Sequence, residues 1–143
     1  MIYQSSEEIY ELVRQFEDRT LPAAQWTHAA HLSVAATYIT DHTPDEALCF
    51  LRSDIILFNV AKGGANTPSR GYHETMTLFW FWLVMGYLTH FRQGRELYQV
   101  VNEMLESPLM QADAPFRYYS RELILSVRAR ARWADPDLKE LVF

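Results

Sequence analysis

The sequence predicts an all-α protein, a single-domain helical bundle of about six helices over residues 1–143. Apolar residues recur at helical spacing, and no run of six residues alternates apolar with polar side chains as a half-buried strand would. Capping residues precede these segments, and Gly or Pro follows them. A chain of 143 residues, 49% of them apolar, fits one domain and buries a core without disulfides or a structural metal.

Each predicted helix has a start signal or a break that bounds it. The first helix begins at the capping-box spacing of Ser5 and Glu8, and the second is rich in Ala with few charges, which indicates burial. The third begins most clearly, with Thr43 as N-cap, Pro44 as first residue and Glu46 completing the box. The six predicted helices span residues 6–18, 25 or 26 to 39, 44–61, 72–91, 95–106, and 113 or 115 to about 133.

The fourth predicted helix holds the longest apolar run of the chain, the thirteen residues 76–88. A bilayer span takes about 20 residues, so this run predicts the buried, aromatic-rich central helix of a soluble protein. We expect a core formed by the second, third, fourth and sixth helices, with the first and fifth helices covering it.

Charge and cysteine content exclude several classes of function. Lys and Arg number 13 against 18 Asp and Glu, and this net charge of −5 argues against binding nucleic acid through its phosphates. The sequence has no signal peptide and no membrane segment, so we expect no membrane partner. The single cysteine, Cys49, excludes a disulfide framework and fits a reducing, cytoplasmic location. Its apolar neighbours predict a buried, inert thiol.

Two short motifs hold three of the five histidines. In WTHAAH, His28 and His31 lie one helical turn apart on the same face, so both imidazoles can reach one ion. In GYHET, His73 and Glu74 stand at the start of the most apolar helix. An ionised Glu is costly there unless it is paired or bonded. Together the two motifs indicate a functional site.

The residue types predict a small metal-dependent enzyme of the hydrolase or oxygenase type, acting on a small molecule. His28, His31 and His73 would be the ligands of a divalent metal, zinc or iron. Glu74 would be the catalytic residue, as a fourth ligand or as the base acting on metal-bound water.

The same residues also have metal-free interpretations. His73 would then cap its helix or bond the loop before it, and the N-terminal helix dipole would stabilise Glu74. Two further classes of function follow. One is a binding module with a polar pocket for a small ligand, lined by His28, His31 and His73. The other is a structural domain that forms a homodimer through an exposed aromatic face.

Three further residues are candidates for substrate binding. Arg70 lies in the loop before the GYHET motif, where it could hold an anionic group. On the sixth predicted helix, Arg117, Arg121 and Arg128 form a stripe with Tyr118 beside it, and Arg121 and Tyr118 are the candidates there. The alternatives are an ordinary connecting loop and a solvated face paired with the acidic first helix.

The two motifs also resemble those of a protein family. The pairing of W-T-H-x-x-H (residues 26–31) with N-T-P-x-x-G-Y-H-E-T (residues 66–75) is similar to a group of small bacterial helical proteins, and the similarity extends to R-Y-Y-S at residues 117–120. This resemblance implies an all-helical fold but no particular reaction. A looser similarity to the HD-domain phosphohydrolases rests on an early His and an adjacent pair, here His73-Glu74 in place of His-Asp. Their final Asp has no counterpart here, so this similarity concerns the fold alone.

Overall fold

The computed structural model describes residues 2–142, and it confirms the all-helical class. No strand occurs in these residues, where Thr67 and Arg70 form only an isolated bridge. The helices are α1 (Ser6–Glu17), α2 (His28–Asp41), α3 (Pro44–Ala61), α4 (Glu74–Phe91), α5 (Leu97–Glu106), α6 (Arg121–Ile124) and α7 (Val127–Ala131). Short 3-10 turns span Ala23–Gln25, Pro108–Met110 and Ala114–Arg117.

The helix starts show which local signals determine structure. The capping box of α3 is confirmed, because the Thr43 hydroxyl accepts from the Glu46 N–H (3.4 Å) and the Glu46 carboxylate accepts from the Thr43 N–H (3.0 Å). The box expected for α1 is wrong. Ser5 is the N-cap but its side chain forms no capping bond, and the Glu8 carboxylate accepts from the Gln4 N–H (2.7 Å) instead of the Ser5 N–H.

Helix α2 begins later than predicted and is the centre of the bundle. The 3-10 turn Ala23–Gln25 comes first, and Thr27 then caps α2 by accepting from the Ala30 N–H at 3.3 Å. Residues 32–38 are all buried, because α2 packs against α1, α3, α4 and α5. The late start places His28 and His31 in the first turns of this central helix.

The continuous sixth helix predicted for the C-terminal region is wrong. The chain there forms the 3-10 turn Ala114–Arg117 and the short helices α6 and α7. Ser120 and Ser126 each begin a new helix, by accepting from the N–H of Leu123 (3.2 Å) and of Ala129 (3.1 Å). The expectation that this segment packs on the central helix is met by α7, which contacts α4.

The core is rich in aromatic side chains, as the apolar run of α4 predicts. Phe79 and Phe81 of α4 are fully buried, and so are Phe16 and Phe58 from α1 and α3. Within residues 2–142 no helix combines the length and the apolar character needed to cross a bilayer.

The outer face of α3 is less buried than the sequence suggests. Cys49 is exposed, so the prediction of a buried thiol is wrong. Its neighbour Phe50 is also exposed, as are Leu57 and Val60 further along the helix. Apolar neighbours in sequence do not imply burial in a helix, because consecutive residues point in different directions.

Candidate functional site

A cavity of about 430 Å³ lies among α2, α3 and α4, and the three histidines of the two motifs all line it. His28 and His31 reach it from the start of α2, and His73 reaches it from the N-cap position of α4. The structure therefore brings together residues that are 42 or more positions apart in the chain. We call this the histidine-lined cavity. Most of its other lining is apolar or aromatic, including Trp26, Leu32, Ile55, Met76 and Trp80.

Two tryptophans form aromatic walls beside the histidines. The ring of Trp26 stacks on His31 with centroids 3.7 Å apart, and its indole also stacks on the fully buried Phe16 at 4.2 Å. The ring of Trp80 meets His28 edge-on at 4.7 Å. Because Trp26 packs on a core residue, the wall that supports His31 is anchored to the interior of the bundle.

His28 and His31 each donate one ring N–H to a backbone carbonyl. His28 Nε2 lies 2.8 Å from the Met110 carbonyl oxygen, and His31 Nδ1 lies 2.7 Å from that of Thr27. A carbonyl oxygen only accepts, so these nitrogens carry the protons. In the neutral rings, His28 Nδ1 and His31 Nε2 are then the nitrogens with a lone pair.

Burial lowers the pKa of His31 to about 4, and the nearby His28 adds to this effect while the bond to the Thr27 carbonyl opposes it. The His31 ring is therefore neutral at pH 7, with an unprotonated nitrogen that can accept a hydrogen bond.

His73 caps α4 with one ring nitrogen and bonds α6 with the other. Its Nδ1 accepts from the Met76 N–H at 3.2 Å, and its Nε2 donates to the Ile124 carbonyl at 2.7 Å. Burial lowers its pKa, which favours the neutral ring that this pair of bonds requires. The capping alternative derived from the sequence is confirmed, and both nitrogens of His73 are in use.

Glu74 lies in an ion pair and does not line the cavity. Arg52 Nε lies 3.1 and 3.2 Å from its two carboxylate oxygens, Arg52 Nη2 also donates to it, and the Tyr72 hydroxyl donates to Oε2 at 2.6 Å. Burial acts to raise the pKa of Glu74, but these bonds outweigh it and the pKa lies below its usual value. The carboxylate is thus held as a charged partner of α3, and its catalytic role stays a prediction.

The described residues do not form a metal centre of the expected kind. Among residues 2–142, no group of three or more His, Cys, Asp or Glu side chains is placed to hold a metal ion. Both nitrogens of His73 are bonded, which leaves lone pairs only on His28 and His31 within the expected ligand set. Zinc or iron bound by the three histidines stays a prediction that this geometry does not support.

None of the three residues expected to bind substrate lines the histidine-lined cavity. Arg70 lines a smaller neighbouring cavity. Tyr118 packs its ring on the core residue Phe79, with centroids 5.5 Å apart. Arg121 is exposed, and its guanidinium lies 4.3 Å from the ring centroid of Phe116. The break in the sixth predicted helix explains this outcome for Tyr118 and Arg121, because the expected arginine stripe has no single helix to carry it.

Sequence analysis missed Arg130, which fixes the loop at the edge of the cavity. Its guanidinium donates to the carbonyls of Gly71 (2.9 Å) and Tyr72 (3.2 Å). The loop is tight at this point, because Gly71 has φ 76° and an added Cβ would lie 2.4 Å from the Ala65 carbonyl oxygen. The only local signal for this contact was the glycine itself.

No protein-family model, curated protein or solved structure matches this chain. The resemblance of its two motifs to small bacterial helical proteins stays an expectation, and the functional argument rests on the site.

Proposed function

We propose that the protein binds a small organic molecule whose apolar, ring-containing part occupies the histidine-lined cavity. The observation that carries this proposal is the convergence of His28, His31 and His73, from two separate motifs, on one cavity. Its volume of about 430 Å³ falls within the range of small-molecule sites, and its lining is mostly apolar with few polar groups, which is typical of such sites.

The residues that line the cavity indicate that the part of the ligand enclosed there is uncharged. No Asp, Glu, Lys or Arg is among the described residues that line the cavity. Burying an unpaired charge there would be costly. Trp80 offers an indole ring against which a flat ring can pack, and the ring of His31, stacked on Trp26, lines the same cavity. These features favour a neutral, planar ring system.

The imidazoles supply the polar part of recognition. In the neutral rings, His28 Nδ1 and His31 Nε2 carry the lone pairs, because the other nitrogen of each ring donates to a backbone carbonyl. A ligand with an O–H or N–H group satisfies such an acceptor, whereas an analogue without that donor leaves it unpaired. We therefore expect the ligand to carry a hydrogen-bond donor on its ring system.

A calorimetric titration of the wild-type protein tests this proposal. We expect 2-naphthol to bind more tightly than 2-methoxynaphthalene, which has no hydrogen-bond donor.

A variant that blocks the cavity provides a second test. Ala112 is exposed and lines the cavity, so Ala112→Trp places a bulky ring at its edge. A clash of about 1–3 kcal/mol corresponds to a loss of affinity of about 5- to 150-fold for 2-naphthol.

The matched control is Ala61→Trp. Ala61 is also exposed, at the end of α3, and does not line the cavity. We expect this variant to bind 2-naphthol as the wild type does. Equal binding by the two tryptophan variants, or no binding by the wild type, contradicts the proposal.

A further inference from the structure

A second cavity, of about 240 Å³, adjoins the histidine-lined cavity, and two cationic side chains line it. Trp26, Asn59 and Gly71 line both cavities, so the two lie side by side. Lys62, at the end of α3, and Arg70, in the loop before α4, line only the smaller one. We call it the basic cavity.

No carboxylate neutralises these two positive charges. Neither Lys62 nor Arg70 forms an ion pair within the described part of the chain. The Lys62 ammonium donates to the Arg19 carbonyl at 2.7 Å and lies 5.3 Å from the ring centroid of Phe58, which leaves N–H donors for a further partner. The described bonds of Arg70 involve only its backbone, so its guanidinium donors are available.

The loop that carries Arg70 is tied to α3. The Asn66 side-chain oxygen accepts from the Tyr72 N–H (2.9 Å) and from the Asn59 side-chain amide (3.0 Å). The amide nitrogen of Asn66 donates to the Ile56 carbonyl at 3.1 Å. Arg70 itself donates its backbone N–H to the Thr67 hydroxyl at 3.2 Å. These bonds hold the backbone of Arg70 in a fixed place beside the cavity.

We infer that the ligand is an amphipathic oxyanion, with its ring body in the histidine-lined cavity and one carboxylate or phosphate group in the basic cavity. This inference rests on the proposed function and names the chemical class of its ligand. A guanidinium and an ammonium both bind such oxyanions through charge-assisted hydrogen bonds. The apolar ring of the ligand and its charged group would bind in different places. The ring would occupy the histidine-lined cavity, which has no charged side chain, and the oxyanion would bind Lys62 and Arg70 in the basic cavity.

Three molecules that share a naphthalene ring with a hydroxyl donor test the inference: 2-naphthol, 6-hydroxy-2-naphthylacetate and 6-hydroxy-2-naphthyl phosphate. Titrated calorimetrically into the wild type, at least one of the two anions binds about tenfold more tightly than 2-naphthol, the gain expected from a hydrogen bond to a charged group. The Arg70→Gln variant loses that gain but binds 2-naphthol as before. Whether the acetate or the phosphate shows the larger gain identifies the oxyanion.

Arg128→Gln is the matched control. Arg128 is exposed and lines neither cavity, so this variant makes the same change in net charge without touching the site. We expect it to bind all three molecules as the wild type does.

Two kinds of failure are distinguishable. The oxyanion site is wrong, while the proposed function stands, if the anions bind no more tightly than 2-naphthol. The same conclusion follows if their gain survives in Arg70→Gln or falls equally in Arg128→Gln. If none of the three molecules binds the wild type, the proposed function itself fails and the inference falls with it.

Discussion

His31 stacks on the ring of Trp26 and lines the histidine-lined cavity, and burial lowers its pKa to about 4 from an ordinary value of 6.5. The unfolded chain binds a proton on this ring as the pH falls below about 6.5, whereas the folded chain binds it only near pH 4. Between these values the unfolded state binds more protons, so the free energy of unfolding decreases as the pH is lowered.

This shift predicts how the His31 ring titrates. Its ring proton signals in NMR spectra have a titration midpoint near pH 4.

In urea unfolding, the wild type loses stability between pH 7 and pH 4, and the His31→Phe variant loses less stability over the same range. The two proteins differ by at most about 3 kcal/mol in the stability that they lose, because each unit of the pKa shift corresponds to about 1.4 kcal/mol. Contact of the His31 ring with the cavity reduces the difference below this limit. The same replacement at the exposed His90, outside the histidine-lined cavity, provides the matched control, and the effect of His31→Phe is read as its difference from His90→Phe. A midpoint near 6.5 for His31 contradicts this account.

Spacing and motif predicted correctly that the three histidines share one region, but they did not reveal the partners that determine their roles. His28 donates to the carbonyl of Met110, 82 positions away, and His73 to that of Ile124, 51 positions away. Glu74 pairs with Arg52 on a different helix. Backbone carbonyls leave no trace in the residue type, so a ring nitrogen already bonded to one cannot be recognised from sequence.

At the scale of secondary structure, the N-terminus of α4 depends on His73. Because an N-cap bond contributes about 0.5–2 kcal/mol and the bond to the Ile124 carbonyl about 0.5–1.5 kcal/mol, we expect His73→Ala to lower the free energy of unfolding by about 1–3 kcal/mol. His73→Asn restores the bond to the Met76 N–H, but not the bond to the Ile124 carbonyl, and recovers part of the loss. Urea unfolding and amide exchange at Met76 measure both effects. Equal stability of His73→Ala and the wild type, or of His73→Asn and His73→Ala, would show that the cap does not stabilise the helix.

The accuracy of each helix prediction depends on how local its signal is. The start of α3 was predicted correctly because Thr43, Pro44 and Glu46 form the whole signal within one turn. The C-terminal region was not, because tertiary contacts compete with a continuous helix there. The Asp137 carboxylate accepts from the backbone N–H (2.7 Å) and the hydroxyl (2.6 Å) of Ser120 and so fixes the chain where a helix was expected to continue.

At the scale of the whole molecule, the two cavities depend on how the helices meet. Walls of the larger cavity come from α2, α3, α4, the loop before α4 and Ala112. Periodicity predicts which segments are helical and which faces are apolar, and on this basis the all-helical class was predicted correctly. It does not determine where packed faces diverge and leave a cavity, because that depends on side-chain contacts between distant segments.

The four tryptophans allow the central claim, that a ligand binds in the histidine-lined cavity, to be tested in one measurement. Trp26 and Trp80 line this cavity, whereas Trp82 and Trp133 line neither of the two cavities. The measurement is an NMR titration of the indole N–H signals with 2-naphthol, each signal assigned by a single Trp→Phe replacement. The account predicts saturable shifts of the Trp26 and Trp80 signals, with those of Trp82 and Trp133 unchanged. Unchanged Trp26 and Trp80 signals, or equal shifts of all four, would contradict it.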